Sequence, residues 1–254
     1  MTYCVGLKLD KGLVLMSDTR TNAGIDNISS FRKMHGFEVP GERSITILSA
    51  GNLGTTQAVI SLLKERSKAV EERNPSIYEQ PSMFQVARMV GETLREVISG
   101  HAETGQQADS AFQATLIVAG QIAPGPPTLF LVYPEGNFIE AGVDTPFFQI
   151  GETKYGRPIL VRAFDPAMSF EDAIKLLLVS FDSTVKANLS VGPPFDFEIY
   201  PNDQLKRGTV GRIEPHDPYY QSISRGWGAA LKQAFDHLPD FHLAEAQSGQ
   251  KETP

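Results

Sequence analysis

Short runs of alternating apolar and polar positions, and longer runs with a helical repeat, divide this chain into elements. Tyr3–Leu9 and Leu13–Ser17 are rich in apolar residues and flank Asp10-Lys11-Gly12. They predict a strand, a turn and a returning strand. A hairpin therefore opens the chain almost at residue 1, where a terminus frays unless something holds it. Thr19–Ser30 is polar and reads as a loop, leading to a strand around Phe31–Val39. Pro40-Gly41 turns the chain into a further strand, Ser44–Ser49, which Gly51-Asn52 breaks.

Helical patterning follows over about Thr55–Val70 and Met83–Gly100. Gln113–Ala119 and Leu129–Tyr133 form a strand pair across Pro124-Gly125-Pro126-Pro127, and Phe147–Gly151 is a short strand. Ser169 and Asp172 have the spacing of a capping box, with Asp in place of Glu or Gln. They open a helix whose apolar face is Phe170, Ala173, Ile174, Leu177, Leu178, Phe181 and Val185. Asp196–Tyr200 and Thr209–Ile213 read as late strands and Tyr219–Phe235 as a final helix. Sheets packed together with helices outside, an α+β fold, accommodate this succession. No composition shift marks a second domain. Residues 2–243 are expected to form a single domain, with 244–254 a polar, disordered tail.

Composition narrows the function classes. The net charge is -7, and Lys and Arg form no cluster, so nucleic acid is not an expected partner. No apolar run approaches the roughly 18 residues of a membrane span; Lys175 interrupts the stretch from Ala173 to Phe181. The opening residues lack the basic start and apolar core of a signal peptide, and Cys4 has no disulfide partner in the chain. The expected location is the cytoplasm. The 5 histidines are scattered, so no zinc site is expected and they read as surface or loop residues. There is no G-x-S-x-G elbow and no G-x-x-x-x-G-K-[ST] loop. No cofactor is expected, and any ATP dependence would belong to another chain. Cys4 reads as a core or cleft-lining thiol, and Trp227 as core packing or a subunit contact.

Thr2 is the first residue with chemical content. Methionine aminopeptidases remove Met before a small residue, which would leave Thr2 with a free α-amine beside its own hydroxyl. The amine pKa of about 7.7–8.0 leaves a useful neutral fraction near pH 7. It can serve as general base for that hydroxyl without a distant histidine. The hairpin returns Asp18 to the neighbourhood of Thr2, because the turn lies about midway between them. Lys33, on the next strand, would favour an alkoxide and lower the basicity of nearby amines. Gly51 follows Ser49-Ala50 at a strand end, where its N–H could meet an oxyanion. Each also has a plain reading: a common second residue, a loop-capping acid, a solvated lysine and an ordinary turn.

Taken together these segments resemble the proteasome β-subunit family. The likeness rests on Thr2, on Ser17-Asp18-Thr19-Arg20 after the second strand, on Lys33, and on Ser49-Ala50-Gly51-Asn52. Tyr3-Cys4-Val5-Gly6-Leu7 and the segment from Gly151 to Leu160 are similar to the bacterial ancestral β-subunits, Anbu. The resemblance, which runs over roughly residues 2–235, implies a four-layer αββα sandwich of two antiparallel sheets flanked by helices. It implies Thr2 as nucleophile with its amine as base, Asp18 and Lys33 completing the group, and Gly51 as oxyanion donor. Arg20 is implied as structural support. The family's acidic and small polar pair after the long helix falls at Asn188 and Ser190, so the acid is absent. Where many relatives have Gly-Ser-Gly, this chain has Gly151-Glu152-Thr153; Glu152 either replaces the serine or faces solvent.

The expected function is a proteasome-type threonine peptidase acting on peptides or unfolded protein. The expected partners are like subunits in a helical or split-ring array, with any unfoldase left open. A scaffold with little activity, or a hydrolase of small amides, are the other readings.

Overall fold

Both faces of the opening hairpin are buried, which requires a layer on each side of it. The computed structural model describes residues 1–22, 28–68, 76–102 and 112–241. In chain order the strands are β1 (Tyr3–Leu9), β2 (Gly12–Asp18), β3 (Arg20–Asn22), β4 (Ile28–Ser30), β5 (Met34–Val39), β6 (Arg43–Gly51), β7 (Ala114–Ile122), β8 (Thr128–Val132), β9 (Phe138–Glu140), β10 (Phe147–Gly151), β11 (Phe195–Pro201) and β12 (Thr209–Ile213). The helices are α1 (Leu53–Glu65), α2 (Met83–Ala102), α3 (Thr153–Ala163), α4 (Phe170–Ala187) and α5 (Pro218–Asp236).

One antiparallel sheet runs β10-β1-β2-β11-β12 and the other β5-β6-β7-β8-β9. Because side chains alternate along a strand, Tyr3, Val5, Leu7, Val14 and Met16 face helices α3, α4 and α5. Cys4, Leu13 and Leu15 face the second sheet, where they meet Leu48, Ile117 and Leu129. Helices α1 and α2 cover the outer side of that second sheet through Val59, Leu63, Val86 and Val90. The result is the αββα sandwich, with an apolar layer between the sheets and one under each helical face.

The hairpin, the strand pair β7–β8 and the cap at Ser169 match the sequence reading. Ser169 Oγ accepts the Asp172 N–H at 3.0 Å and donates to the Asp172 carboxylate at 2.9 Å. This seats the N-terminus of α4 as a capping box does.

Four elements depart from it. The segment Thr19–Ser30 is not all loop: β3 and β4 pair into a two-stranded ribbon. The strand expected from Phe31 begins only at Met34, after Lys33. The short edge strand β9 pairs with β8 and was not anticipated. Helix α3 also lies in a segment with no helical signal, and Pro158 sits inside it. Its polar first turn and internal proline hide it from periodicity, yet tertiary packing buries Gly156 and Leu160 against the β1 layer. The tail expected at 244–254 lies outside the described residues.

Phe181 of α4 is the pivot of the helical layer over β1. It is fully buried, 4.5 Å from the Tyr3 ring and 5.1 Å from that of Phe195. We expect Phe181→Ala to cost about 3–5 kcal/mol, read as a lower denaturation midpoint in urea. Because Tyr3 directly follows Thr2, any activity of the variant should fall as well.

Candidate active site

The start of β1 is held from three sides. On one side, β1 pairs with β10 in the register Tyr3↔Gly151, and Thr2 O accepts the Glu152 N–H at 2.7 Å. Gly151 has φ +84, and a Cβ there would collide with the Thr2 carbonyl, so glycine is the residue that fits. On the other side, β2 pairs in the register Cys4↔Ser17, which puts Asp18 across from Tyr3. Asp18 Oδ1 accepts the Tyr3 backbone N–H at 3.0 Å. From the helical face, Tyr3 OH shares a hydrogen bond with Ser180 Oγ at 2.8 Å and accepts one from Gln149 Nε2. Thr2 itself is only 7% exposed.

Lys33 closes the arrangement from the second sheet. Its Nζ donates to Asp18 Oδ1 at 2.7 Å and to Arg20 O at 2.7 Å, with Met1 O farther away at 3.4 Å. Asp18 is fully buried and Lys33 nearly so. Burial pushes the Asp18 carboxyl above its ordinary value, while Lys33 and the backbone N–H groups of Tyr3 and Gly192 pull it down. Burial also pushes the Tyr3 hydroxyl up to about 12 and raises the neighbouring Cys4 thiol. Cys4 lies in the layer between the sheets with its Sγ 3.7 Å from Ser49 O, so it is packed away from the cleft.

A cavity of about 220 Å³ opens beside Thr2, lined among others by Lys33, Ala50 and Gly51. Three residues singled out in the sequence, Asp18, Lys33 and Gly51, thus lie together at the Thr2 end of the sandwich. Arg20 reaches the α4–β11 connection, donating to Leu189 O at 3.0 Å. Asn188 caps α4, and its Nδ2 lies 3.6 Å from Met1 Sδ. Ser190 stands apart: it does not line the cavity, and its backbone N–H donates to Asn188 Oδ1 at 3.0 Å. The Glu152 side chain faces Lys154 at 3.9 Å, and its contact with Thr2 is made by its backbone.

Sequence reasoning missed His35. It was read as a surface or loop residue, but it sits on β5 and lines the cavity with Thr2. Its position two residues after Lys33 was the available signal, because residues i and i+2 of a strand share a face. Burial lowers its pKa from the ordinary 6.5 to about 4, and the cations Lys64, Arg207 and Arg32 add to the effect. The Ser180–Tyr3–Gln149 network was missed too. Its members are 177 and 146 residues apart in the chain, and no local pattern joins them.

Comparison with known proteins bears on the same region. The proteasome subunit family profile matches residues 2–199. The structure of Anbu, an ancestral β-subunit from Yersinia bercovieri, is 44% identical, covers 95% of this chain and 100% of that one, and superposes with a TM-score of 0.87. A structure described as the helical assembly of the Anbu complex from Pseudomonas aeruginosa is also 44% identical, over 95% of this chain and 99% of that one, with a TM-score of 0.87. The proteasome subunit beta of Haloferax volcanii is 24% identical over 203 residues, 80% of this chain and 74% of that protein.

The lowered pKa of His35 has a measurable consequence. The unfolded chain takes up a proton near pH 6.5, while the folded chain resists until about pH 4. Between those values the unfolded state binds more protons, so stability falls as the pH drops. We expect His35→Gln to lose part of that decline, measured as the difference in urea midpoint between pH 7.5 and pH 4.5. Equal declines in both proteins would contradict a half-buried neutral imidazole.

Proposed function

This chain belongs to the proteasome subunit family, in its ancestral β-subunit (Anbu) branch, and from that premise we propose that it is a threonine peptidase whose nucleophile is Thr2, exposed by removal of Met1. The observation that carries the proposal is the convergence of Thr2, Asp18 and Lys33 at the start of β1. The Asp18–Lys33 pair lies at 2.7 Å, and Asp18 fixes the main chain one residue beyond Thr2.

In this mechanism the Thr2 amine takes the proton from Thr2 Oγ as Oγ attacks a peptide carbonyl. Lys33 stabilises the developing alkoxide, and Asp18 holds the Lys33 ammonium in place. Gly51, which lines the cavity, offers its N–H to the tetrahedral oxyanion. The amine then passes its proton to the leaving nitrogen, the C–N bond breaks, and an ester to Thr2 remains. A water, deprotonated by the same amine, hydrolyses that ester and restores the hydroxyl. Ser190 is proposed to belong to the surroundings of the Thr2 amine on the family resemblance, its backbone N–H meeting Asn188 Oδ1 at 3.0 Å.

The site is proposed to act on peptides or unfolded protein, within a homo-oligomer of open helical or split-ring form in the cytoplasm. The helical assembly of the Pseudomonas aeruginosa relative supports such an array. So does the apolar surface at the end of α5 and beyond it, where Phe235 and Phe241 are 72% and 77% exposed. No helix among the described residues is long and apolar enough to cross a membrane.

A scaffold with little activity is the second reading. Asn188 in place of an acid, and Glu152 turned toward Lys154, favour it.

An intact-mass measurement lacking one methionine, combined with peptide turnover that Thr2→Ala abolishes while assembly persists, is the result expected of the peptidase. Retention of Met1 would remove the base and end the mechanism. Full assembly with no turnover and no covalent adduct at Thr2 would favour the scaffold. Lys33→Ala should fold and assemble but turn substrate over at least about 100-fold more slowly, in keeping with loss of one electrostatic group at a reacting centre. Unchanged turnover would remove Lys33 from the mechanism.

A further inference from the structure

Among the described residues, the charged side chains lining the cavity beside Thr2 are all cationic. Arg32 and Lys33 line it, together with His35, Thr56 and Gln57, and no carboxylate does so among the described residues. Lys33 is offset by Asp18 behind it, at 2.7 Å. Arg32 is exposed and makes no ion pair with a described carboxylate.

Two structural features bear on this field. Helix α1 starts at the cavity with Leu53 and Thr56; Asn52 caps its Thr55 N–H at 3.0 Å, and its first turn has no acidic residue to set a negative charge against its N-terminal partial positive charge. Arg207 lies against the backbone of β5 at Gly36, next to His35, where a Cβ would strike its guanidinium, and it is paired with Glu198 at 3.3 Å. The imidazole registers the same field: its depressed pKa has Lys64, Arg207 and Arg32 among its causes, after burial.

With Met1 still part of its wall, the cavity is about 220 Å³, roughly seven water shares at ~30 Å³ each, enough for a short side chain and a few waters. A side chain next to an attacked carbonyl must lie beside the nucleophile, and this cavity is what lies beside Thr2. A lysine or arginine there would meet like charge. A leucine would find Ala50 and Leu53 but would dehydrate Arg32 without compensation.

We propose that this cavity selects an acidic side chain, so that cleavage follows Glu or Asp, with Arg32 and His35 as its specificity-determining residues. The inference rests on the reading of Thr2 as nucleophile and names the substrate class of that site.

Three peptide epoxyketones test it, identical except for Glu, Leu or Lys at the residue bearing the reactive ketone. They are applied to the assembled protein after Met1 removal is verified by mass, and labelling of Thr2 is followed by intact mass. The Glu probe should label about tenfold faster than the Leu probe, equivalent to about 1.4 kcal/mol, and faster still than the Lys probe. Arg32→Glu should reverse the order of Glu and Lys, and Arg32→Gln should narrow the gap. Added salt should narrow it in the parent protein too. Equal or faster labelling by the Leu or Lys probe overturns this inference and leaves the nucleophile standing. So does an order that Arg32→Glu leaves unchanged. No labelling by any probe overturns the nucleophile reading, and this inference falls with it.

Discussion

A buried carboxylate and a buried ammonium, 2.7 Å apart, hold the two sheets together where the chain begins. Asp18 ends β2 in one sheet, and Lys33 stands just ahead of β5 in the other. Removing either partner would leave the other charge uncompensated in a dry environment, which is costlier than losing the contact itself. The same Asp18 oxygen also accepts the Tyr3 N–H, so one atom positions the main chain at Thr2 and the lysine beside it. Stability and geometry at this end of the molecule therefore share a single origin. The glycine at 151, the Glu152 N–H and the Tyr3 ring against Phe181 complete what that pair begins.

Much of this was legible in the sequence because it is local. The hairpin is written in alternation around Asp10-Lys11-Gly12, and equal arms bring Asp18 back to Tyr3 by arithmetic alone. The cap at Ser169 and the apolar face of α4 are likewise short-range signals. Lys33 was placed by likeness to relatives; its meeting with Asp18 crosses from one sheet to the other, and no spacing rule dictates that.

What stayed hidden depends on packing between distant segments. Helix α3 carries a proline and a polar first turn, and its stability comes from lying over β1. His35 was lost among scattered histidines because the sequence does not say which strand faces the cleft. Ser190 was placed by likeness to relatives alone. A position carried over from relatives landed on a turn whose backbone, and not its hydroxyl, makes the observed contact.

Thr2 leads directly into a paired strand. Thr2 O is engaged by Glu152, and Tyr3 is already opposite Gly151. In the form that retains Met1, the added carbonyl lies within 3.4 Å of Lys33, and the nitrogen of Thr2 is an amide with no basic lone pair. An affinity tag fused ahead of residue 1 would make that condition permanent. Recombinant material for enzymology should therefore carry its handle at the opposite terminus, or one that is cleaved to leave threonine first.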